Sequence, residues 1–308
     1  MTLTELRYIV AVADKRHFGH AAEACFVSQP TLSVAVKRLE EELGVTLFER
    51  SRGEISLTPT GERVVEQARH ALAEAAAVKE IALASQDELA GPLRLGAIYT
   101  IGPYLLPQLI PLITEQAPRM PLLVEENYTA VLSEKLKRGE LDVIIIALPF
   151  DEPGIKTLPI YEEPFVVLLP SSHPLALHDT IAIDELGEET VLLLGKGHCF
   201  RDQVIEACPM CAPRNDEKPC LQKTLEGASL ETIRMMVTSG VGVTVLPCTA
   251  AGADRYTERM LAIRRFKGAP PGRRVALAWR NSFPRPQAIE VLRQAVGKTS
   301  LSCIEKIS

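Results

Sequence analysis

From Met1 to about Ala90, apolar side chains recur at helical spacing; from Gly91 onward they gather into short uninterrupted runs. Leu3, Leu6, Ile9, Val10, Val12 and Ala13 form the stripe of a first helix, and a shorter second helix spans Phe18 to Ala24, where Ala21, Ala22 and Ala24 let a neighbour approach closely. Ser28 is a good N-cap, Val27 can staple onto Leu32, and Gly44 is a C-terminal stop, so a third helix runs to Leu43. Leu32, Val36, Leu39 and Leu43 share one of its faces, while Gln29, Ser33 and Lys37 share another. One face packs and the other is free to read a surface. Glu54 to Leu57 is strand-like. Thr58 with Pro59 at the first helical position then starts a long helix, to about Leu89. At about 1.5 Å per residue its roughly thirty residues span about 45 Å, more than one small domain needs to cover. Val64, Ala68, Ala71, Ala75, Val78 and Ala82 make a narrow seam along it, suited to pairing with another helix.

The later runs are Leu93–Ile98, Leu122–Val124, Leu141–Leu148, Phe165–Leu169, Val191–Leu194, Val241–Leu246 and Val275–Trp279. They lack polar alternation, as parallel strands buried on both faces would, and helix-like stretches separate them. The pattern predicts an α/β domain of two lobes around a cleft, the shape of a small-ligand sensor. The expected divisions are 1–58, a helical reader; 59–90, a linker and dimerisation helix; and 91–308, a regulatory domain.

Composition narrows the function. With 34 basic against 39 acidic residues, a net charge of -5, nothing global draws the chain to nucleic acid or anionic lipid, so a DNA contact must be local. A local patch is present: Ser28 to Arg38 has no acidic residue, and Arg50-Ser51-Arg52-Gly53 is a basic turn, placed to touch phosphate with Arg50 and Arg52. No apolar run is long enough to span a membrane, and charged residues occupy the first twenty positions where a secretory signal would be apolar, so the expectation is a cytoplasmic protein without membrane contact. Seven cysteines do not pair evenly, which points to free thiols, metal ligands or redox switches rather than a disulfide framework.

The chemistry concentrates in Gly195-Lys196-Gly197-His198-Cys199-Phe200-Arg201-Asp202-Gln203. A strand ends at Gly195 and a helix starts near Cys199, so the helix N-terminus, Arg201 and a protonated His198 would all favour the reactive thiolate. Asp202 would oppose it by like charge, or relay a proton, or hold His198. The bland alternative is a small buried apolar cysteine, which the polar neighbourhood disfavours. Cys208-Pro209-Met210-Cys211 with Cys220, Cys199 and His198 has the donor types of a zinc site, but one C-x-x-C without a second is weak, and the expectation is no metal and no cofactor. Cys25 is expected in the core, Cys248 at a strand end and Cys303 in a frayed tail.

Phe18-Gly19-His20-Ala21-Ala22, Val27-Ser28-Gln29-Pro30-Thr31-Leu32-Ser33, Leu39-Glu40-Glu41-Glu42-Leu43-Gly44, Leu47-Phe48-Glu49-Arg50 and Leu57-Thr58-Pro59-Thr60-Gly61 resemble the LysR-type transcriptional regulators. The resemblance implies an all-α winged helix-turn-helix in which Gln29, Thr31, Ser33 and Lys37 face double-stranded operator DNA and Arg50 belongs to the wing. It also implies a long linker helix that forms a homodimer, and a C-terminal domain like type II periplasmic binding proteins, with chain crossovers near Leu148–Phe150 and in Leu246–Met260. Gly-His-Cys-Phe-Arg-Asp-Gln at 197–203, with a cysteine nine residues after Cys199, together with Ile98 to Pro107, Glu125 to Thr129 and Ser229 to Ile233, resembles the hydrogen-peroxide sensors of that family. That implies a non-enzymatic activator of oxidative-stress genes, a homotetramer working with RNA polymerase. In it Cys199 is the peroxidatic and Cys208 the resolving cysteine, Thr100, Thr129, His198 and Asp202 bind or activate peroxide, and Arg273 or Arg274 stabilises the thiolate. Oxidation would then unwind a helix from Cys199 to Cys208. The competing readings are a regulator of the same family gated by a small anionic metabolite, and a thiol peroxidase.

Overall fold

The computed structural model describes residues 1–51, 54–84, 87–211, 229–252, 259–301 and 303–307. They form two compact units: Met1–Gln86 with the turn Lys137–Gly139, and Asp87–Leu136 with Glu140–Ser308.

The first unit contains α1 (Leu3–Lys15), α2 (Phe18–Ala24), α3 (Gln29–Leu43), β1 (Phe48–Ser51), β2 (Glu54–Leu57) and α4 (Pro59–Ala84). A Thr2–Glu5 capping box starts α1, and the His17 imidazole caps α2 by accepting from the Gly19 and His20 amides. Ile9, Val12, Ala21, Leu32, Val36 and Leu39 close the core between the helices. The antiparallel β1–β2 pair is the expected wing; Arg50 lies opposite Ile55, and Arg52 falls outside the described residues. Gly61 is needed for closure, because a Cβ there would meet the Leu47 carbonyl oxygen at 2.1 Å. Helix α4 ends at Ala84 rather than Leu89. Of its expected pairing seam, Val64, Ala68 and Ala71 pack into this unit's own core, while Val78 and Ala82 are exposed, as is Ile81 beside them.

The second unit runs β3 (Leu93–Ile98), α5 (Gly102–Gln116), β4 (Leu122–Asn127), α6 (Thr129–Lys137), β5 (Val143–Ala147), β6 (Ile155–Pro170), β7 (Thr180–Ile181), β8 (Val191–Leu192), α7 (Cys199–Ala207), α8 (Leu230–Thr238), β9 (Val243–Pro247), α9 (Cys248–Ala251), β10 (Leu261–Phe266), β11 (Gly272–Arg280), α10 (Pro286–Lys298) and β12 (Glu305–Lys306). All-parallel pairing is not what forms. β3 pairs in parallel with β4 and β5, and β8 with β9, but β6 and β11 run antiparallel to their neighbours. They carry the chain between two cores. One core gathers β3, β5 and α5 with α10 and most of β11; the other gathers the end of β6 with β8, β9, α7 and α8. The chain leaves the first core between Tyr161 and Phe165 and returns between Phe266 and Val275. These crossings differ from the expected Leu148–Phe150 and Leu246–Met260; Leu148 and Phe150 still pack against the first core. The cleft therefore has β6 and β11 as its spine.

Candidate functional site

On α3 the buried Leu32, Val36 and Leu39 turn Gln29, Thr31 and Lys37 outward, exposed, with Ser33 half-buried. Ser28 caps the helix by accepting the Thr31 amide at 3.3 Å. Lys37 meets Glu41 at 3.7 Å, an exposed pair of little energetic weight that leaves the ammonium open to a phosphate. Phe26 and Val34, 95% and 68% exposed, also flank this face and were not singled out from the sequence. Exposed apolar groups beside polar ones suit thymine methyls in a major groove. The signal was available, since Val34 directly follows Ser33 on the outward arc of the helix.

In the second unit the cysteine segment folds as expected from its sequence. Cys199 is the first residue of α7, with His198 at the N-cap. Phe200 and Val204 are buried in the second lobe's core while Cys199 packs against the first lobe's core, so the free thiol sits where the lobes meet. Beside it is a cavity of about 10 Å³ whose lining includes Tyr99, Thr100, Tyr128, Thr129, His198 and Cys199. That is room for about one water-sized molecule. The Thr129 hydroxyl is buried with no partner, and such a group gains strongly when a small polar guest supplies one.

His198 is nearly buried, edge-on to the Tyr128 ring at 4.7 Å and 6.1 Å from the Tyr99 ring. Burial lowers its pKa below the ordinary 6.5, so it favours the neutral imidazole. Burial thus works against a protonated His198 beside the thiol. Arg201 and Asp202 pair with each other at 3.5 Å; the Asp202 side chain is 76% exposed, and neither lines the cavity. Asp202 lies in the first turn of α7, where a carboxylate stabilises the helix.

The sequence left Arg273 and Arg274 open as alternatives, and burial separates them. Arg274 pairs with Glu162 at the surface. Arg273 is buried: its Nε donates to Glu163 at 2.8 Å, its Nη1 to the Thr100 hydroxyl and its Nη2 to the Thr100 carbonyl, each also at 2.8 Å. Its guanidinium lies 5.4 Å from the centre of the Phe200 ring. Because the Thr100 oxygen accepts from Arg273, its own O–H remains available to donate.

Two cysteine pairs are joined. Cys208 bonds Cys211 across the short turn Pro209–Cys211, and Cys248 bonds Cys303 with the Cα atoms 6.1 Å apart. In this state Cys208 is thus paired with Cys211 while Cys199 is free; Cys220 lies outside the described residues. Cys303, expected in a frayed tail, is held by that bond and by β12. Cys25 packs against the first unit's core as expected, and burial pushes its thiol pKa up.

Residues 3–62 match the family model described as "Bacterial regulatory helix-turn-helix protein, lysR family", and residues 86–300 match "LysR substrate binding domain". The chain belongs to the lysR family. Among similar lysR-family proteins, a probable hydrogen peroxide-inducible genes activator of Streptomyces viridosporus is 41% identical over 295 residues, covering 96% of this chain and 93% of that protein. A full-length OxyR variant from Pseudomonas aeruginosa is 51% identical, covers 100% of this chain and 98% of that one, and superposes with a TM-score of 0.80. A peroxide-bound mutant of Corynebacterium glutamicum OxyR is 34% identical, covers 96% and 91%, and has a TM-score of 0.61.

The burial of His198 generates a pH prediction for this lysR-family site. A folded pKa below 6.5 means that the unfolded chain binds the proton more readily. Protonation of His198 therefore opposes folding, and the penalty grows as pH falls through 6.5. In an NMR titration the His198 ring resonances should move with a midpoint below that of a free imidazole. A midpoint at or above it would mean an imidazolium paired with the thiolate.

Proposed function

We propose that this protein is a DNA-binding transcriptional regulator that senses hydrogen peroxide through Cys199 and activates genes of peroxide defence. The observation that carries the reading is the free Cys199 thiol beside a water-sized cavity whose lining includes Thr129, the hydroxyl of which is buried without a partner. A cavity of this size leaves no room for an organic metabolite beside Cys199, and the helix-turn-helix unit has no part in a thiol peroxidase. The protein acts in the cytoplasm as a homodimer, two such dimers forming a homotetramer, and it engages RNA polymerase. The exposed Val78, Ile81 and Ala82 supply the pairing surface on α4.

In the proposed reaction the Cys199 thiolate, at the N-terminus of α7, attacks one peroxide oxygen. The S–O bond forms as the O–O bond breaks, and the leaving oxygen departs as water after taking a proton. Thr129 and Thr100 orient the peroxide, and neutral His198 passes the proton. Asp202, one turn on, holds the helix start rather than the peroxide. A thiol reductant first opens the Cys208–Cys211 bond by exchange, ending as its own disulfide, and the sulfenic acid then condenses with the freed Cys208 thiol, forming S–S and releasing a second water. With α7 intact, nine residues at about 1.5 Å put the two Cα atoms about 13.5 Å apart, against about 4.4–6.8 Å in a disulfide. The helix must unwind, and that rearrangement alters how protomers pack and how paired α3 helices are spaced on DNA through Gln29, Thr31, Ser33 and Lys37, with Arg50 and Arg52 on phosphates.

Cys199→Ser, nearly isosteric, should abolish the peroxide response in an operator-binding and transcription assay while leaving reduced-state DNA binding intact. A Ser variant that still switched would move the sensing thiol elsewhere and favour the metabolite-gated reading.

Lys37→Ala should weaken operator binding and flatten the dependence of log affinity on log salt by about one unit. Affinity equal to the parent at every salt concentration would remove α3 as the reader.

A further inference from the structure

The Cys248–Cys303 bond joins parts of the chain that belong to different cores. Cys248 opens α9 and packs against the second lobe's core, whereas Leu301 and Ile304, flanking Cys303, pack against the first. The tail that carries Cys303 is itself a strand: Glu305 and Lys306 of β12 pair with Glu162 and Tyr161 of β6, where the chain crosses between lobes. The bond therefore joins the two cores beside the crossing of β6.

Its neighbour in sequence ties it to the cavity. Thr249 donates its amide to Glu163 Oε1 at 3.1 Å and its hydroxyl to the same oxygen. The other Glu163 oxygen accepts from Arg273, and Arg273 holds Thr100 on the cavity wall. From the other side, the buried Arg234 of α8 donates to the Ala250 carbonyl at 2.7 Å. α9 is thus a junction between the staple, the peroxide cavity and α8.

Both sulfurs are reachable. Cys303 is exposed and Cys248 half-buried, and the two stand on the wall of an 840 Å³ cleft with Arg265, Arg273, Arg274 and Glu162. A volume in the range of small-molecule sites admits peroxide and a low-molecular-weight thiol alike.

We propose that Cys248 and Cys303 are a second, reversible thiol–disulfide site, which staples the two lobes when oxidised and sets the accessibility of Cys199 through Thr249, Glu163 and Arg273. Peroxide oxidises the exposed Cys303 thiolate to the sulfenic acid, its O–O bond breaking as S–O forms and one water leaving. The Cys248 thiol then displaces the hydroxyl, forming S–S and releasing a second water, so the two sulfurs supply the two electrons that peroxide takes up. A thiol reductant reverses this by exchange, ending as its own disulfide. The effect on Cys199 rests on the peroxide reading of that site; the formation of the staple does not.

The test uses the full-length chain. After reduction with dithiothreitol, stepwise addition of hydrogen peroxide followed by mass mapping should yield a Cys248–Cys303 cross-link in both the parent and Cys199→Ser, and dithiothreitol should remove it. Separately, the rate of Cys199 alkylation by iodoacetamide is compared between stapled parent, Cys248→Ser and Cys303→Ser. Each single variant should alkylate faster by at least about twofold, the low end for groups sharing one hydrogen-bond network. Because Cys303 is exposed, its Ser variant removes the bond without opening a core cavity. No cross-link at any peroxide dose would overturn the site itself. A cross-link with unchanged alkylation in both variants would overturn its coupling to Cys199. Failure of the peroxide reading would appear elsewhere, as an unoxidised Cys199 in the same maps.

Discussion

The buried Arg273–Glu163 ion pair is the constraint on which the regulatory unit depends. Both side chains are fully shielded from water, at the point where β6 and β11 pass from one core to the other. A desolvated pair is tolerable only when it is well hydrogen-bonded, and here each of the three Arg273 nitrogens donates one bond while Glu163 accepts from Arg273 and twice from Thr249. Leaving one member unpaired would cost about 3–5 kcal/mol. The same bonds that make the pair affordable fix Thr100 on the cavity wall and α9 beside the tail. Structural necessity and placement of the site are therefore one arrangement.

Local chemistry was legible in the sequence, and non-local pairing was not. The N-cap at Ser28, the stop at Gly44, the wing around Arg50 and the helix beginning at Cys199 all follow from short-range rules, and each is present. The first half of β6 escaped notice because Pro159 and Pro164 interrupt it, and proline argues against a central strand. It is accommodated beside a register shift, where Tyr161 faces Val275 but Pro159 faces Ala276. Leu261 to Phe266 mixes two arginines into an apolar segment and pairs with strands far away in sequence, so its strand character also came from outside itself. The parallel sheet was expected because buried runs look alike in either direction.

The site divides in the same way. Cys199, its helix and the neighbouring His198 could be read from one segment, whereas the rings of Tyr99 and Tyr128 around that histidine come from elsewhere. The unpartnered Thr129, the buried Arg273 against the exposed Arg274 and the lowered pKa of His198 depend on burial, which the segment does not encode. Cysteine pairing is the extreme case, since residues 55 apart meet as readily as residues three apart. The resulting pattern is two closed pairs around one open thiol at the lobe junction. Among the described residues Cys199 is the free thiol at that junction, beside the small cavity.

The central claim is that oxidation of Cys199 is stored as an unwound α7. Amide hydrogen exchange across Phe200–Ala207, measured on the full chain before and after peroxide has oxidised Cys199, tests it most directly. Protection of these amides should be lost on oxidation and regained on reduction. Unchanged protection in protein whose Cys199 is demonstrably oxidised would contradict the unwinding and leave the signal without a structural carrier.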